Sequence, residues 1–495
     1  MKTKQYVIAL DAGTTSCRAI LFDKNRRFVA AESREFKQIY PSAGYVEHDA
    51  EEIYRVQKET LLNLLSNRGI TPNQIAAIGI TNQRETTVIW DRHSQKPIYH
   101  AIVWQCRRTE HICRQFKQEG WEPYIHEHTG LVLDAYFSAT KIKWILDTVP
   151  GARARAKKGD LLFGTIDTWL LYKFTDGAVF ATDHTNASRT MLYDICSLSW
   201  DENLLHAFDI PPSMLAQVKN SGEIYGYCNI RGTQIPIAAL CGDQQASLLG
   251  QGCLAPGDAK NTYGTGCFIL EHIGSKMQLS KNGLITTLAA STHNEIAYAM
   301  EGSVFIAGAL IQWLRDEIGL LSSSAQSEEM AKKVEDTRGV YIVPAFAGLG
   351  APYWDMSARG IITGITRSTN KNHLVRAALE AIAYQVNDVL ISIEKDTQIP
   401  LTQLKVDGGA CTNDFLMQFQ SDISQITLVR PATVEVTALG AAVLAGFAVG
   451  FYDSIQNNSN SDASIKIFSP QMAPSQQKAL FAGWHKAVAK ARESN

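Results

Sequence analysis

Three short turns in this chain combine glycine with hydroxyl and acidic side chains: DAGTTS at 11–16, YGTG at 263–266 and DGGACTN at 407–413. Phosphate oxygens need backbone N–H groups at close range. Glycine permits that approach, and Thr or Ser adds hydroxyl donors. Asp11, at the end of an apolar run, suits a water-mediated Mg2+ contact, because that ion keeps most of its waters and favours carboxylates. Singly, each turn reads as an ordinary hairpin or strand–helix connection. Three in one chain point to a nucleotide. Neither the lysine-bearing phosphate loop nor a GxGxxG fingerprint occurs, so the scaffold that holds such a nucleotide is of another kind.

A second group is polar and compact. Apolar runs end in Arg84 and Glu85 (GITNQRETT, 79–87), Trp104 (AIVWQCRRT, 101–109), Tyr136 (DAYFSATK, 134–141), and Asp243 and Gln244 (LCGDQQAS, 240–247). Each hydroxyl of a small polyol both donates and accepts, which Arg, Glu, Tyr and Asp can match. Trp104 and Phe268 would cover its carbon skeleton. The plainer alternatives are a solvated strand end for Arg84–Glu85 and a core position for Trp104. Neighbours in a regular strand face opposite sides, so Arg84 and Glu85 can share a ligand only if the strand ends or bulges at Gln83.

The elements that must carry these residues alternate between strand and helix, which predicts α/β layers. YVIAL (6–10) and RAILF (18–22) form a hairpin, residues 50–68 a helix stopped by Gly69, and IAAIGIT (75–81) a buried strand. Residues 88–104 read as a second hairpin, and 141–148 as helix up to Pro150. A new unit starts near 250, with a strand–turn–strand at 261–272 that echoes the opening hairpin. A long apolar helix follows at 374–393, then an apolar run at 436–451, an exposed loop at 457–464 and an amphipathic helix with Leu480, Trp484 and Val488. Two large α/β domains are expected, 1–250 and 251–495, with a cleft between them.

Bulk properties narrow the classes. Lys+Arg of 47 against Asp+Glu of 49 in 495 residues leaves no field to recruit nucleic acid. The nine cysteines are dispersed without a CxxC pair, which fits a reducing cytoplasm rather than a disulfide or zinc scaffold. The N-terminal apolar run is too short for a signal peptide, and nothing approaches the ~20 apolar residues of a membrane span. A cytoplasmic protein with no membrane span and no nucleic-acid partner is expected.

Longer segments add a family resemblance. DAGTTSCRA, ITNQRETT, AIVWQCRRT, TDHTNASRTML (182–192), NTYGTGCF, EGSVFIAGALIQWLRD (301–316), VPAFAGLGAPYWD (343–355) and DGGACTNDFLMQFQSD occur in an order that closely resembles the FGGY carbohydrate kinases. The resemblance runs from residue 6 to about 452 and returns at AGWHKAV (482–488). TNQRET with AIVWQCRRT is similar to the members that phosphorylate glycerol. The resemblance implies an α/β fold of two actin-like (ribonuclease H-like) ATPase domains flanking a central cleft. It also implies ATP-dependent, in-line phosphorylation of glycerol to sn-glycerol 3-phosphate, the first committed step of glycerol catabolism. By the same resemblance Arg84, Glu85, Trp104, Tyr136, Asp243, Gln244 and Phe268 bind glycerol, with Asp243 the general base. Thr14, Thr15, Ser16, Arg18, Thr265, Gly308, Gln312, Gly409 and Asn413 hold ATP or ADP, and Asp11 with Asp243 holds Mg2+ through water. A homo-oligomer, dimer or tetramer, is implied as well.

Two segments depart from the pattern. Some members bind fructose 1,6-bisphosphate on a Gly-rich loop with an arginine. Here YCNIRGTQIPIA (227–238) is shorter, has one glycine and carries Gln234 where the arginine would fall. Only Arg231 is left for two phosphates, which leaves that control open. The transport-regulator partner of some relatives is not carried over, because SPQMAPSQQKALF (469–481) diverges. Cys17, Cys241 and Cys267 lie beside proposed site residues. They suggest thiol sensitivity, against the plainer reading of buried small apolar side chains.

Overall fold

The computed structural model describes residues 4–292, 295–431, 435–456 and 465–493; the loop expected at 457–464 lies outside them. The first lobe is built on a six-stranded sheet. Its centre is the opening hairpin, Tyr6–Ala12 antiparallel to Ser16–Asp23, with Asp11 opposite Arg18 and Ala12 opposite Cys17. Phe28–Glu35 extends it on one side. Ile75–Asn82 and Thr233–Gly242 extend it in parallel on the other, and Gly226–Ile230 closes that edge.

Strand alternation explains the unbroken apolar runs. Ile8 and Leu10 face the helices Ala50–Asn67 and Ile166–Phe174, whereas Val7 and Ala9 face Val436–Ala448. With both faces covered, IAAIGITN (75–82) is buried at every position, as parallel strands between helical layers must be.

The second lobe repeats this plan in a seven-stranded sheet. Ala259–Tyr263 and Cys267–Gly274 form the hairpin and Tyr298–Val304 its antiparallel flank. Gln403–Asp407 and Thr427–Arg430 run parallel to Ala259–Tyr263, and Lys466–Phe468 makes the antiparallel edge. The echo of the opening hairpin is therefore a repeated sheet topology. The 27-residue helix Lys371–Thr397 covers this sheet. It is pinned by the last helix, Pro474–Glu493, whose Trp484 stacks on Tyr384 and donates from Nε1 to Asp388 Oδ2 at 2.7 Å.

The lobes are not independent in sequence. Val436–Ala448, from the second half, packs against the first sheet and the helix Asp243–Gly250. Glycine makes that approach possible: a Cβ on Gly440 would stand 1.9 Å from the Ala246 carbonyl oxygen, and one on Gly79 2.3 Å from that of Ala441. Gly440→Ala should cost about 1–3 kcal/mol by overpacking, read as a lower denaturation midpoint in urea.

One expected element differs. Residues 88–104 are not a simple hairpin. Val88–Asp91 pairs with Leu161–Gly164, while Ala101–Ile102 pairs with Glu47–His48. The two arms still meet antiparallel at the bridges Thr87–Ile102 and Trp90–Pro97, with the Ile98 amide donating to the Ile89 carbonyl and the Asp91 amide to the Lys96 carbonyl, both at 2.9 Å. Among the described residues no helix is long and apolar enough to cross a membrane.

Candidate active site

Parallel strands bring the motifs together. Asp11, Thr81 and Cys241 are in register near the carboxyl ends of three adjacent strands, so DAGTTS, NQRE and GDQQ leave the first sheet at one end. In the second sheet Thr262 stands opposite Asp407, and YGTG and DGGACTN leave together. Both sets open on the cleft, where α/β sheets place their ligands.

The strand Ile75–Asn82 ends one residue before Gln83. The Thr86 amide then donates to the Arg84 carbonyl at 2.7 Å, closing a three-residue turn with Glu85 at φ 60°. This turn satisfies the condition set by the sequence and lets both side chains reach one cavity. That cavity, about 160 Å3, is lined by Arg84, Glu85, Trp104, Tyr136, Asp243, Gln244 and Phe268, joined by Thr14 and Thr265. Trp104 meets Tyr136 and Phe268 edge-on at 5.6 and 5.8 Å, and its Nε1 donates to Thr14 Oγ1 at 3.1 Å. Gly242 lets the Arg84 stem lie against the backbone beside Asp243; a Cβ there would meet Arg84 Cδ at 2.7 Å.

Behind the cavity is a charge network that the sequence did not reveal. Arg84 donates to both oxygens of Glu301, Nη1 to Oε2 at 2.6 Å and Nη2 to Oε1 at 2.8 Å. Arg189 joins Glu85 Oε1 at 2.6 Å to Glu301 Oε1 at 2.9 Å, with its guanidinium over the Tyr136 and Phe137 rings. Arg84 Nε lies 3.4 Å from Asp243 Oδ1. Burial pushes Glu301 upward, but Arg189 and Arg84 outweigh it and hold its carboxyl at about 2. Asp243 is raised by burial, against the pull of Arg84 and Lys260. A carboxylate whose pKa is raised is a better proton acceptor.

Thr265 also lines a second cavity of about 340 Å3, together with Gly308, Gln312, Gly409 and Asn413. This falls within the ~300–1,000 Å3 usual for small-molecule sites. Its far wall, Ser324, Ala325, Ser327 and Glu328, carried no signal in the sequence. It is tied in by Asn413 Nδ2 donating to Ser327 Oγ at 3.2 Å. Ile311, Leu379 and Ile382 supply an apolar side.

Of the opening turn only Thr14 lines either of these two cavities. The turn's carbonyls point inward: Gln83 Nε2 donates to Gly13 O, Gln38 Nε2 to Thr14 O and the Phe36 amide to Thr15 O. The Gly13 amide is used within the turn itself, donating to the Ser16 carbonyl at 3.0 Å. Thr15, Ser16, Asp11 and Arg18 line neither cavity. Arg18 pairs with Glu435 and stands 3.9 Å from Asp11. Asp11 is pushed up to about 7 by burial, opposed by Arg18 and reinforced by Asp243 and Glu435.

Cys17, Cys241 and Cys267 are fully buried and burial raises all three thiols, so the suggested thiol sensitivity is corrected to the plainer reading. Iodoacetamide should label the folded protein at Cys196, the exposed cysteine, without loss of turnover; mass spectrometry and an activity assay check both. The 227–238 segment is a tight hairpin turning at Arg231–Gly232, with Arg231 Nη2 donating to Ser66 Oγ at 2.7 Å.

Comparison with known proteins agrees with this architecture. Residues 6–250 match the FGGY family of carbohydrate kinases, N-terminal domain, and residues 259–449 its C-terminal domain. The chain is 56% identical over 491 residues to the glycerol kinase of Shewanella sp. (strain ANA-3), covering 99% of each chain. It is 57% identical over 488 residues to that of Shewanella woodyi, covering 98% of this chain and 99% of the relative. Among solved structures it superposes on Plasmodium falciparum glycerol kinase with ADP at a TM-score of 0.88 and 36% identity, covering 99% of this chain and 98% of that one. The chain belongs to the FGGY family of carbohydrate kinases, with its fold of two actin-like domains.

Proposed function

We propose that the protein transfers the γ-phosphoryl group of ATP to a terminal hydroxyl of glycerol, giving ADP and sn-glycerol 3-phosphate. The observation that carries this reading is the pair of cavities meeting at Gly264 and Thr265, one small and lined by polar and aromatic side chains, the other larger with an apolar wall. The first half of the chain, 1–250, then supplies most of the polyol site and a phosphate turn, and 251–495 the nucleotide site. The 56–57% identity to glycerol kinases and the ADP-bound relative support the choice of substrates.

Arg84, Glu85, Tyr136 and Gln244 orient the three hydroxyls, and Trp104 and Phe268 cover the carbons. Asp243 takes the proton of the attacking hydroxyl as its oxygen bonds to the γ-phosphorus. The bond from that phosphorus to the bridging oxygen breaks, and its electrons leave with ADP. Thr14, Thr15, Ser16 and Arg18 on one lobe and Thr265, Gly308, Gln312, Gly409 and Asn413 on the other position the phosphates and nucleoside. Asp11 and Asp243, the second of which raises the proton affinity of the first, suit a divalent cation held through water. Bound there, Mg2+ would neutralise phosphate charge.

A coupled ADP-release assay tests the reading. Glycerol should be turned over with far higher kcat/KM than erythritol, dihydroxyacetone or xylulose, because a site built for three hydroxyls leaves buried partners unpaired with a poorer match. Preference for xylulose would reassign the substrate within the family. ATP hydrolysis indifferent to polyol would remove the kinase reading.

A further inference from the structure

Lys260 lies on the strand Ala259–Tyr263, fully buried and outside the lining of both cavities. Its ammonium donates to Gln244 Oε1, to Thr262 Oγ1 at 2.9 Å and to the Phe268 carbonyl at 3.2 Å. Three N–H groups meet three acceptors, and all three acceptors belong to residues that line the small cavity. Burying an ammonium is costly unless it is fully bonded and near opposite charge. Here Asp407, Asp243 and Glu301 supply that charge and Arg84 opposes it.

A lysine can only donate. Gln244 must therefore turn its carbonyl oxygen toward Lys260, which leaves its NH2 for the cavity. The contact also crosses the lobes, since Gln244 rides on the helix Asp243–Gly250 of the first and Lys260 on the sheet of the second. We infer that Lys260 is a positioning residue: it sets Gln244 as a hydrogen-bond donor to the polyol and clamps the back of the polyol site across the cleft. This deepens the reading above and rests on it.

The helix itself does not depend on Lys260. Ser247 Oγ and Gln251 Nε2 donate to Asp407 at 2.8 and 3.0 Å, and Lys405 Nζ donates to the Gln251 carbonyl at 2.8 Å. Removal of Lys260 should thus loosen one amide rather than undock the helix.

The test is a double-mutant cycle of Lys260→Met and Gln244→Ala, with KM measured for glycerol and for ATP. Lys260→Met should raise the glycerol KM about tenfold and leave kcat and the ATP KM nearly unchanged. Adding Gln244→Ala to it should cost little more than either change alone, because the two act through one contact. Additive losses, or a glycerol KM that moves only together with the ATP KM and kcat, would overturn the inference. Lys260→Gln, which drops the cation and lets the Gln244 amide turn either way, takes the place of Lys260→Met in the same cycle if the latter does not fold. Absence of glycerol turnover in the wild type is a separate result that sinks the parent reading. The cycle is then decided on whichever polyol is phosphorylated, and no polyol turnover at all overturns both.

Discussion

Asp243→Asn should lower kcat by about 10²–10⁴-fold, the usual worth of a positioned general base. The carboxylate sits at the first turn of the helix Asp243–Gly250, with Oδ1 accepting from the Gln244 amide at 2.8 Å and facing Arg84 Nε at 3.4 Å. Asparagine keeps the size and one acceptor, so glycerol should still bind with little change in KM. What disappears is the ability to take a proton as the hydroxyl attacks, and one of the two carboxylates proposed for the cation. The coupled assay at saturating glycerol and ATP reads the result. A loss smaller than about tenfold would take proton transfer away from Asp243 and leave it as a hydroxyl acceptor only.

Glu301→Gln should be the most damaging change away from the reacting atoms. Glu301 is completely buried and answers two guanidiniums at once, Arg84 from the first lobe and Arg189. Removing one partner from such a network leaves charge buried without compensation, which typically costs about 3–5 kcal/mol. Arg84 also loses the bidentate grip that aims it into the polyol cavity, so the glycerol KM should rise with the fall in thermal stability. The pH dependence has a definite sign. The folded carboxyl is held at about 2, below its ordinary 4.5, so its contribution is present above 4.5 and is lost as pH falls toward 2. The variant should therefore show a shallower loss of stability over that acid range than the wild type, in melts from pH 5 downward. Unchanged melting and unchanged KM together would show that Arg84 and Arg189 are held without it.

The sequence by itself determined which residue types could touch a phosphate or a hydroxyl. Glycine–hydroxyl turns must sit where a backbone comes close to something, and Arg84, Glu85, Tyr136 and Asp243 at the ends of apolar runs must meet polar partners. It also determined the alternation that makes two covered sheets, since runs such as IAAIGITN admit no solvent face. Local geometry was legible only as a condition: whether Arg84 and Glu85 share a ligand depended on a turn at Glu85 that propensity does not specify, because a non-glycine residue at φ 60° is held there by its surroundings.

Tertiary structure alone decided the partners. Arg84 meets Glu301 across 217 positions, and Lys260 reaches Gln244 only because strands of one lobe end opposite a helix of the other. No periodicity records such a meeting. Ion pairs and amide orientations inside a core are set by which strands adjoin, and that order follows from packing the two sheets and the helix Val436–Ala448 together. The thiols follow the same logic: their position beside the site was visible in the sequence, but their burial was a property of the packed sheets.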